Sequence, residues 1–167
     1  MTLRKIVTIP DDVLRKKAHK VTTFDKDLIV LIDDMFETMR EEPGVGLAAP
    51  QIGLSQQIVV IEYAEDEEAK PKSFALINPE IIKTSDETEF GIEGCLSIPN
   101  LVGEVERFSS ITVKALNKFG KPIRIKTSGW MARIFQHEID HLDGILFTDR
   151  ATRIWQPPQD ELAELPE

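Results

Sequence analysis

Cysteine is almost absent from this chain: among 167 residues Cys95 is the only one, so no intramolecular disulfide can form. That scarcity fits a reducing compartment such as the cytosol. Long apolar runs are missing too, since no stretch approaches the roughly 18 apolar residues that a transmembrane helix requires. The first ten residues lack the apolar core of a secretory signal, and an aspartate pair follows them directly. We therefore expect a cytoplasmic protein without a membrane partner.

An excess of positive charge is also lacking. The 20 basic side chains are outnumbered by 29 acidic ones, which gives a formal net charge of −9. This balance argues against a broad surface for direct nucleic-acid binding. No internal repeat or long linker divides the sequence, and its length matches the usual size of one domain, about 100–200 residues. We expect a single domain over residues 1–167, in which 156–167, with three prolines, four acidic residues and no basic one, forms a loosely ordered tail.

Hydrophobic periodicity predicts two main helices. Apolar residues recur at spacings of three and four between residues 25 and 42, and Pro43-Gly44 ends this pattern. A second helix is expected to begin after Ser128 as N-cap and to end near Leu142, before Asp143-Gly144. The segments expected to be extended are 58–63, 74–77, 79–83 and a hairpin of 111–116 with 123–126. We expect an α+β fold in which short, mostly antiparallel strands pack around one central helix.

The second predicted helix contains the sequence His137-Glu138-Ile139-Asp140-His141. Histidines four residues apart lie one turn apart on the same helix face, which is the spacing that two metal ligands need. At roughly 100° per residue, Trp130, Ile134 and Glu138 share this apolar face, whereas Arg133, Gln136 and Asp140 fall on the opposite arc. A carboxylate on an apolar face is costly to bury unless a metal and a reacting water compensate for it. We therefore predict a metal-binding helix in preference to a pair of ordinary surface histidines.

A catalytic metal site of this kind usually takes three protein ligands, and the helix supplies only two. Metallopeptidases with the same histidine pair take the third from a downstream carboxylate or histidine, but no acidic residue after the helix has that spacing. The best remaining candidate is Cys95, in Glu93-Gly-Cys-Leu-Ser97, although a lone cysteine is by itself more often a buried inert residue. A thiolate with two imidazoles suits zinc, iron(II), cobalt or nickel and does not choose between them.

A glycine-rich segment, 44–53, is the third region of interest. It lacks the Lys-Ser/Thr pair of a phosphate-binding loop, and its glycines fit a dinucleotide-binding pattern poorly. Glycines allow the backbone to approach a ligand closely, and the amide of Gln51 could donate a hydrogen bond. Taken alone, the segment fits a plain turn equally well.

Together these three segments resemble the peptide deformylase family of bacterial type. The family's motifs are similar to Gly44-Val-Gly46-Leu-Ala-Ala-Pro-Gln51, to Glu93-Gly-Cys95-Leu96-Ser97 and to Gln136-His137-Glu138-Ile-Asp140-His141, in the same order. The resemblance implies a hydrolase that removes the N-formyl group from the initiator methionine of nascent polypeptides and releases formate. It also implies one divalent metal ion per chain, iron(II) first, with zinc, nickel or cobalt as alternatives.

The resemblance implies a role for each matching residue. Cys95, His137 and His141 hold the metal, and Glu138 acts as the general base and acid. The side-chain amide of Gln51 and the backbone N–H of Leu96 stabilise the oxyanion. The residues implied in substrate binding are Gly46 and its neighbour Val45, which hold the peptide as an added strand, Trp130 and Ile134, which line a pocket for methionine, and Glu93.

This sequence departs from many bacterial members in two places. They carry an arginine shortly after the second motif, where this chain has Ile98-Pro-Asn-Leu-Val-Gly103, so Arg107 is expected to contact the substrate instead. The C-terminal tail is acidic and proline-rich, so it offers no basic segment for ribosome docking, and a transient ribosome contact is left open. The alternatives are a metallopeptidase that cuts internal peptide bonds, and a non-catalytic member that holds the metal and binds nascent chains.

Overall fold

The structure is a computed structural model that describes residues 2–42 and 44–158. Pro43, expected to end the first helix, and residues 159–167, most of the expected tail, lie outside the described residues. Over the described ranges, the strands form two antiparallel sheets, and the helices pack against them. The expected α+β class, with mostly antiparallel strands around a central helix, is confirmed.

The larger sheet has the strand order β1-β2-β3-β6-β7. Its strands are β1 (Gly46–Ala48), β2 (Ile58–Tyr63), β3 (Lys72–Thr84), β6 (Ser110–Leu116) and β7 (Pro122–Ser128). The two extended segments expected at 74–77 and 79–83 are parts of the single long strand β3. The expected hairpin is present as β6 and β7, which pair from Ser110–Ser128 to Leu116–Pro122.

The smaller sheet has the strand order β4-β5-β8. It contains β4 (Thr88–Cys95), β5 (Ile98–Phe108) and β8 (Arg153–Trp155). Leu96 and Ser97 form the turn between β4 and β5, and Cys95 pairs with Ile98 across it. Cys95 therefore lies at the very end of a strand, at the tip of this hairpin.

Helix α1 (Lys26–Glu41) begins at Asp25, whose side chain accepts a hydrogen bond from the Leu28 backbone N–H at 3.1 Å. Helix α2 (Gly129–Leu142) follows Ser128 as expected, although the Ser128 side chain makes no capping bond. Gly144 adopts a φ of +74° just after α2, in the left-handed region that favours glycine, and so ends the helix. A short helix, α3 (Phe147–Arg150), leads into β8.

Strand β2 of the larger sheet is buried on both faces. Because side chains alternate along a strand, Ile58 and Val60 pack into the cluster that contains α1, whereas Val59 and Ile61 pack into the cluster that contains α2. A third cluster joins the smaller sheet to Leu14 and to Phe147 of α3. Helix α2 is thus enclosed between both sheets. In the part of the chain that the structure describes, no helix has the length and apolar character needed to cross a membrane.

Candidate metal centre and active site

The three predicted metal ligands lie together. The ligand atoms of Cys95, His137 and His141 are all within 4.8 Å of one another, and all three residues are buried. The Cys95 Sγ is 3.4 Å from Nε2 of His141. Strand β4 supplies the thiol and α2 supplies both imidazoles from successive turns, so the cluster forms only where hairpin and helix meet.

The donor set fits a divalent transition metal. Tetrahedral sites with S–metal and N–metal bonds of about 2.3 and 2.0 Å place sulfur and nitrogen about 3.5 Å apart, close to the observed Cys95–His141 separation. Burial raises the pKa of the Cys95 thiol. Burial, followed by the nearby His137, lowers the pKa of His141, which keeps that imidazole neutral, as a ligand must be. A divalent cation would restore the thiolate, because it compensates the buried negative charge.

His137 is oriented by the carboxylate of Glu93. The Oε1 atom of Glu93 lies 2.8 Å from Nδ1 of His137, which leaves the other ring nitrogen for the metal. Glu93 also accepts two hydrogen bonds from Arg107, at 2.8 and 2.9 Å, and one from Arg133 at 2.7 Å. Burial alone would raise the pKa of Glu93, but the hydrogen bonds from Arg107 and His137 outweigh it, so that pKa is lowered and the carboxylate stays charged.

These contacts add a role to one expected substrate-binding residue, Glu93, and argue against another, Arg107. Glu93 lines the narrow cavity near Trp130, and both of its carboxylate oxygens are engaged by the arginines and His137, so it supports a metal ligand, while a contact with substrate stays a prediction. Arg107 was expected to contact the substrate, yet its side chain is only 4 % exposed. Its Nη1 atom donates a hydrogen bond to Asp140 at 2.6 Å. Together with Asp140 and Arg150, Arg107 lines a surface depression that is separate from the cavity beside Trp130. The sequence did not predict these contacts because they join residues that are far apart in the chain, and no local pattern indicates such pairs.

Glu138 is 1 % exposed and lies directly against β1. A Cβ atom added at Gly46 would be 2.6 Å from Oε2 of Glu138 and 2.8 Å from its Cγ. Only glycine leaves room for the carboxylate at this position, because real Cβ contacts are not that short. The structure therefore brings the predicted base and the predicted substrate-binding glycine into contact.

The side-chain amide of Gln51 points at the metal cluster. Its Oε1 accepts a hydrogen bond from the Ala48 backbone N–H at 2.9 Å, which fixes the orientation of the amide. Its Nε2 lies 3.5 Å from Cys95 Sγ and 3.3 Å from Ser97 Oγ. Leu96 follows Cys95 in the turn, and its side chain lies near Gly44, in contact with the α1 cluster. The Gln51 amide thus reaches the thiol from the glycine-rich segment, while Leu96 follows Cys95 directly in the chain.

A narrow cavity lies beside the residues that were predicted to line a methionine pocket. Its walls come from β4, from α2 and from the residue that precedes β1, and its volume is about 10 Å³, roughly that of one water molecule. The residues that line it are Val45, Glu93, Gly94, Trp130, Arg133, Ile134, His137 and Glu138. Arg133, placed by helical periodicity on the arc opposite the histidines, is buried and belongs to this wall. Helical periodicity missed it because α2 is covered on nearly every side.

A buried histidine pair one helical turn apart, a third ligand from a hairpin and a carboxylate between the histidines define a metal-dependent hydrolase. Residues 3–156 match the family model described as polypeptide deformylase. The chain therefore belongs to the polypeptide deformylase family.

Known relatives support this assignment along the whole chain. It is 47 % identical to peptide deformylase 1 of Bacillus subtilis over 165 residues, which is 99 % of each protein. The crystal structure of peptide deformylase from Thermotoga maritima superimposes with a TM-score of 0.86 at 43 % identity, covering 92 % of this chain and 100 % of that one. A peptide deformylase from Legionella pneumophila gives a TM-score of 0.84 at 46 % identity, with 90 % and 87 % covered. These relatives do not favour the metallopeptidase or the non-catalytic alternative.

Proposed function

We propose that this protein removes the N-formyl group from the initiator methionine of nascent polypeptides in the cytoplasm and releases formate. One observation carries the proposal: Glu138 is buried and directly follows His137 in the sequence, and His137 belongs to a Cys95–His137–His141 cluster that could hold a metal ion. Membership of the polypeptide deformylase family supports the same reaction.

Cys95, His137 and His141 would hold one divalent ion, with iron(II) first and zinc, nickel or cobalt as alternatives. When bound, such an ion supplies Lewis acidity that lowers the pKa of water and polarises a formyl oxygen. Glu138 takes the proton from the attacking water and returns it to the departing amine nitrogen. Gln51 Nε2 and the Leu96 backbone N–H donate hydrogen bonds to the oxygen that gains charge.

The substrate backbone fits between two strand edges. In the described part of the chain, β1 and β4 each lie at an edge of their sheet, and they carry Gly46 and Cys95 respectively. A peptide that pairs with these edges as an added strand is bound through its main chain, a mode that tolerates many sequences. The methionine side chain would enter the apolar pocket beside Val45, Trp130 and Ile134. A transient ribosome contact would deliver nascent chains to this site.

The test compares Glu138→Gln with Glu41→Gln, a matched substitution at an exposed position on α1. Formate release from a formyl-Met peptide and metal stoichiometry are measured on the same samples, after anaerobic purification that also identifies the metal. Glu138→Gln should keep its metal and lose about 10²–10⁴ in turnover, the contribution of general acid–base catalysis. Glu41→Gln should match the wild type. Unchanged turnover in Glu138→Gln, or cleavage of internal bonds in unformylated peptides by the wild type, would contradict the proposal.

A further inference from the structure

Arg133 fastens the hairpin to the catalytic helix. Its side chain is only 6 % exposed, and it donates to the backbone oxygens of Val105 at 2.9 Å and Glu89 at 2.7 Å. A further hydrogen bond, at 2.7 Å, goes to the carboxylate of Glu93. One guanidinium thus binds β4, β5 and the support of His137 together.

The same guanidinium contributes to the substrate pocket. Its Cζ lies 5.7 Å from the ring centre of Trp130, within the range of a cation–π contact. A Cβ added at Gly91 would be 2.8 Å from Cζ and from Nε, so the absence of a side chain there makes room for the arginine. Arg133 is therefore held both by the hairpin backbone and by the wall of the pocket.

The two histidines differ in the hydrogen bonding of their Nδ1 atoms. Nδ1 of His141 has no hydrogen-bond partner among the described residues, whereas Nδ1 of His137 is bound to Glu93. The hydrogen bond from Glu93 thus orients His137 alone, and Glu93 is itself held by Arg107 and Arg133. Two hydrogen bonds lead from Arg133 through Glu93 to His137.

We propose that Arg133 is a positioning residue that couples the substrate pocket to the metal centre. It holds the Trp130 ring as a pocket wall and holds Glu93 as the support of His137, so side-chain selectivity and metal retention depend on one guanidinium. The pocket is so narrow that an entering side chain must displace its wall, and the half-buried Trp130 ring is the part that lies against Arg133. The inference deepens the proposed function and rests on it.

The experiment uses full-length protein and the variants Arg133→Met, Arg133→Lys and Arg40→Met. Arg40 is the matched control, because it also pairs with a carboxylate, that of Glu62, and also lies over an aromatic ring, that of Phe36 at 5.4 Å. One readout is the rate at which a chelator removes cobalt(II) from the loaded protein, followed by its visible absorption. The other is the ratio of kcat/KM for formyl-Met and formyl-Ala peptides.

Arg133→Met should release cobalt about tenfold faster, the low end of the effect of removing support from a metal ligand. Its preference for formyl-Met should fall by about tenfold, as expected for a loosened apolar pocket. Arg133→Lys keeps the charge but loses the planar guanidinium with its several donors. Its cobalt release rate and its preference for formyl-Met should therefore lie between those of Arg133→Met and the wild type. Arg40→Met should change neither quantity.

The coupling is refuted if a folded Arg133→Met variant changes only one of the two quantities, or neither, by more than twofold. Equal changes in Arg40→Met would also refute it, since they would reflect a general loss of stability. If Arg133→Met does not fold, Arg133→Lys is judged by the same criteria. Cobalt release is measured without turnover. A wild type that releases no formate would therefore overturn the proposed function, whereas unchanged cobalt release in Arg133→Met would overturn the role of Arg133 at the metal centre.

Discussion

A single methyl group at Gly46 should disable the enzyme without removing its metal. Ordinary contacts of a Cβ atom are 3.4–4 Å, whereas here the Cβ would lie 2.6–2.9 Å from three atoms of the Glu138 side chain. The carboxylate must therefore retreat by up to roughly 1 Å, and a misplacement of that size costs about 10²-fold in rate. Gly46 is not among the glycines with positive φ, so alanine does not strain the backbone. We expect Gly46→Ala to lower kcat about 10²-fold.

The assay measures formate release and metal content in Gly46→Ala, in Glu138→Gln and in the double variant. If the methyl group acts by moving the carboxylate, the double variant should turn over no more slowly than Glu138→Gln, because both changes remove the same group's contribution. Multiplied losses in the double variant would show that Gly46 acts independently of Glu138. A turnover of Gly46→Ala within threefold of the wild type would refute the reasoning altogether.

Three further outcomes are expected. Cys95→Ala should lose its metal and its activity together, as measured by metal analysis, and full occupancy with normal turnover would make the thiol an inert core residue. Gln51→Ala should lower turnover by about 10²–10³ with metal content intact, whereas a change confined to KM would assign Gln51 to ground-state binding. The carboxylate of Asp34 accepts hydrogen bonds from the Thr2 backbone N–H and from the Arg4 side chain, and in that order they lower the pKa of Asp34. This carboxylate therefore stabilises the fold fully above about pH 4 and progressively less below it. Asp34→Asn should lower the urea midpoint at pH 7, and a loss just as large at pH 3 would contradict the assignment.

Helix α2 could be predicted from the sequence because its signals are local. Apolar periodicity, the spacing of the two histidines and Gly144 at the end lie within one short stretch of chain. Strand β2 was equally clear, since β-branched residues fill it. The strands β4 and β5 were not predicted, although β4 carries Cys95. Their sequence mixes glycines and acidic residues with few β-branched ones, so their strand structure depends on mutual pairing.

The site shows the same division. The three metal ligands and Glu138 could be predicted from their residue types and their spacing in the sequence. The structure brings the three ligands together and buries Glu138. Arg107 and Arg133 were misjudged because a charged side chain is normally exposed, whereas both are buried here by partners far away in the sequence. Gly91 fits beside Arg133 for a reason that only the folded chain shows.

The arrangement of the ligands on the chain has a consequence for the synthesis of the protein itself. Cys95 and His141 are 46 residues apart, and the hairpin that carries the thiol is made before the helix that carries both imidazoles. A ribosome that adds residues at about 5–20 per second therefore takes several seconds to pass from one ligand to the other. During that interval the growing chain has a thiol without its helical partners, open to oxidation. Each new copy can acquire its metal only after α2 has left the exit tunnel and closed against the hairpin.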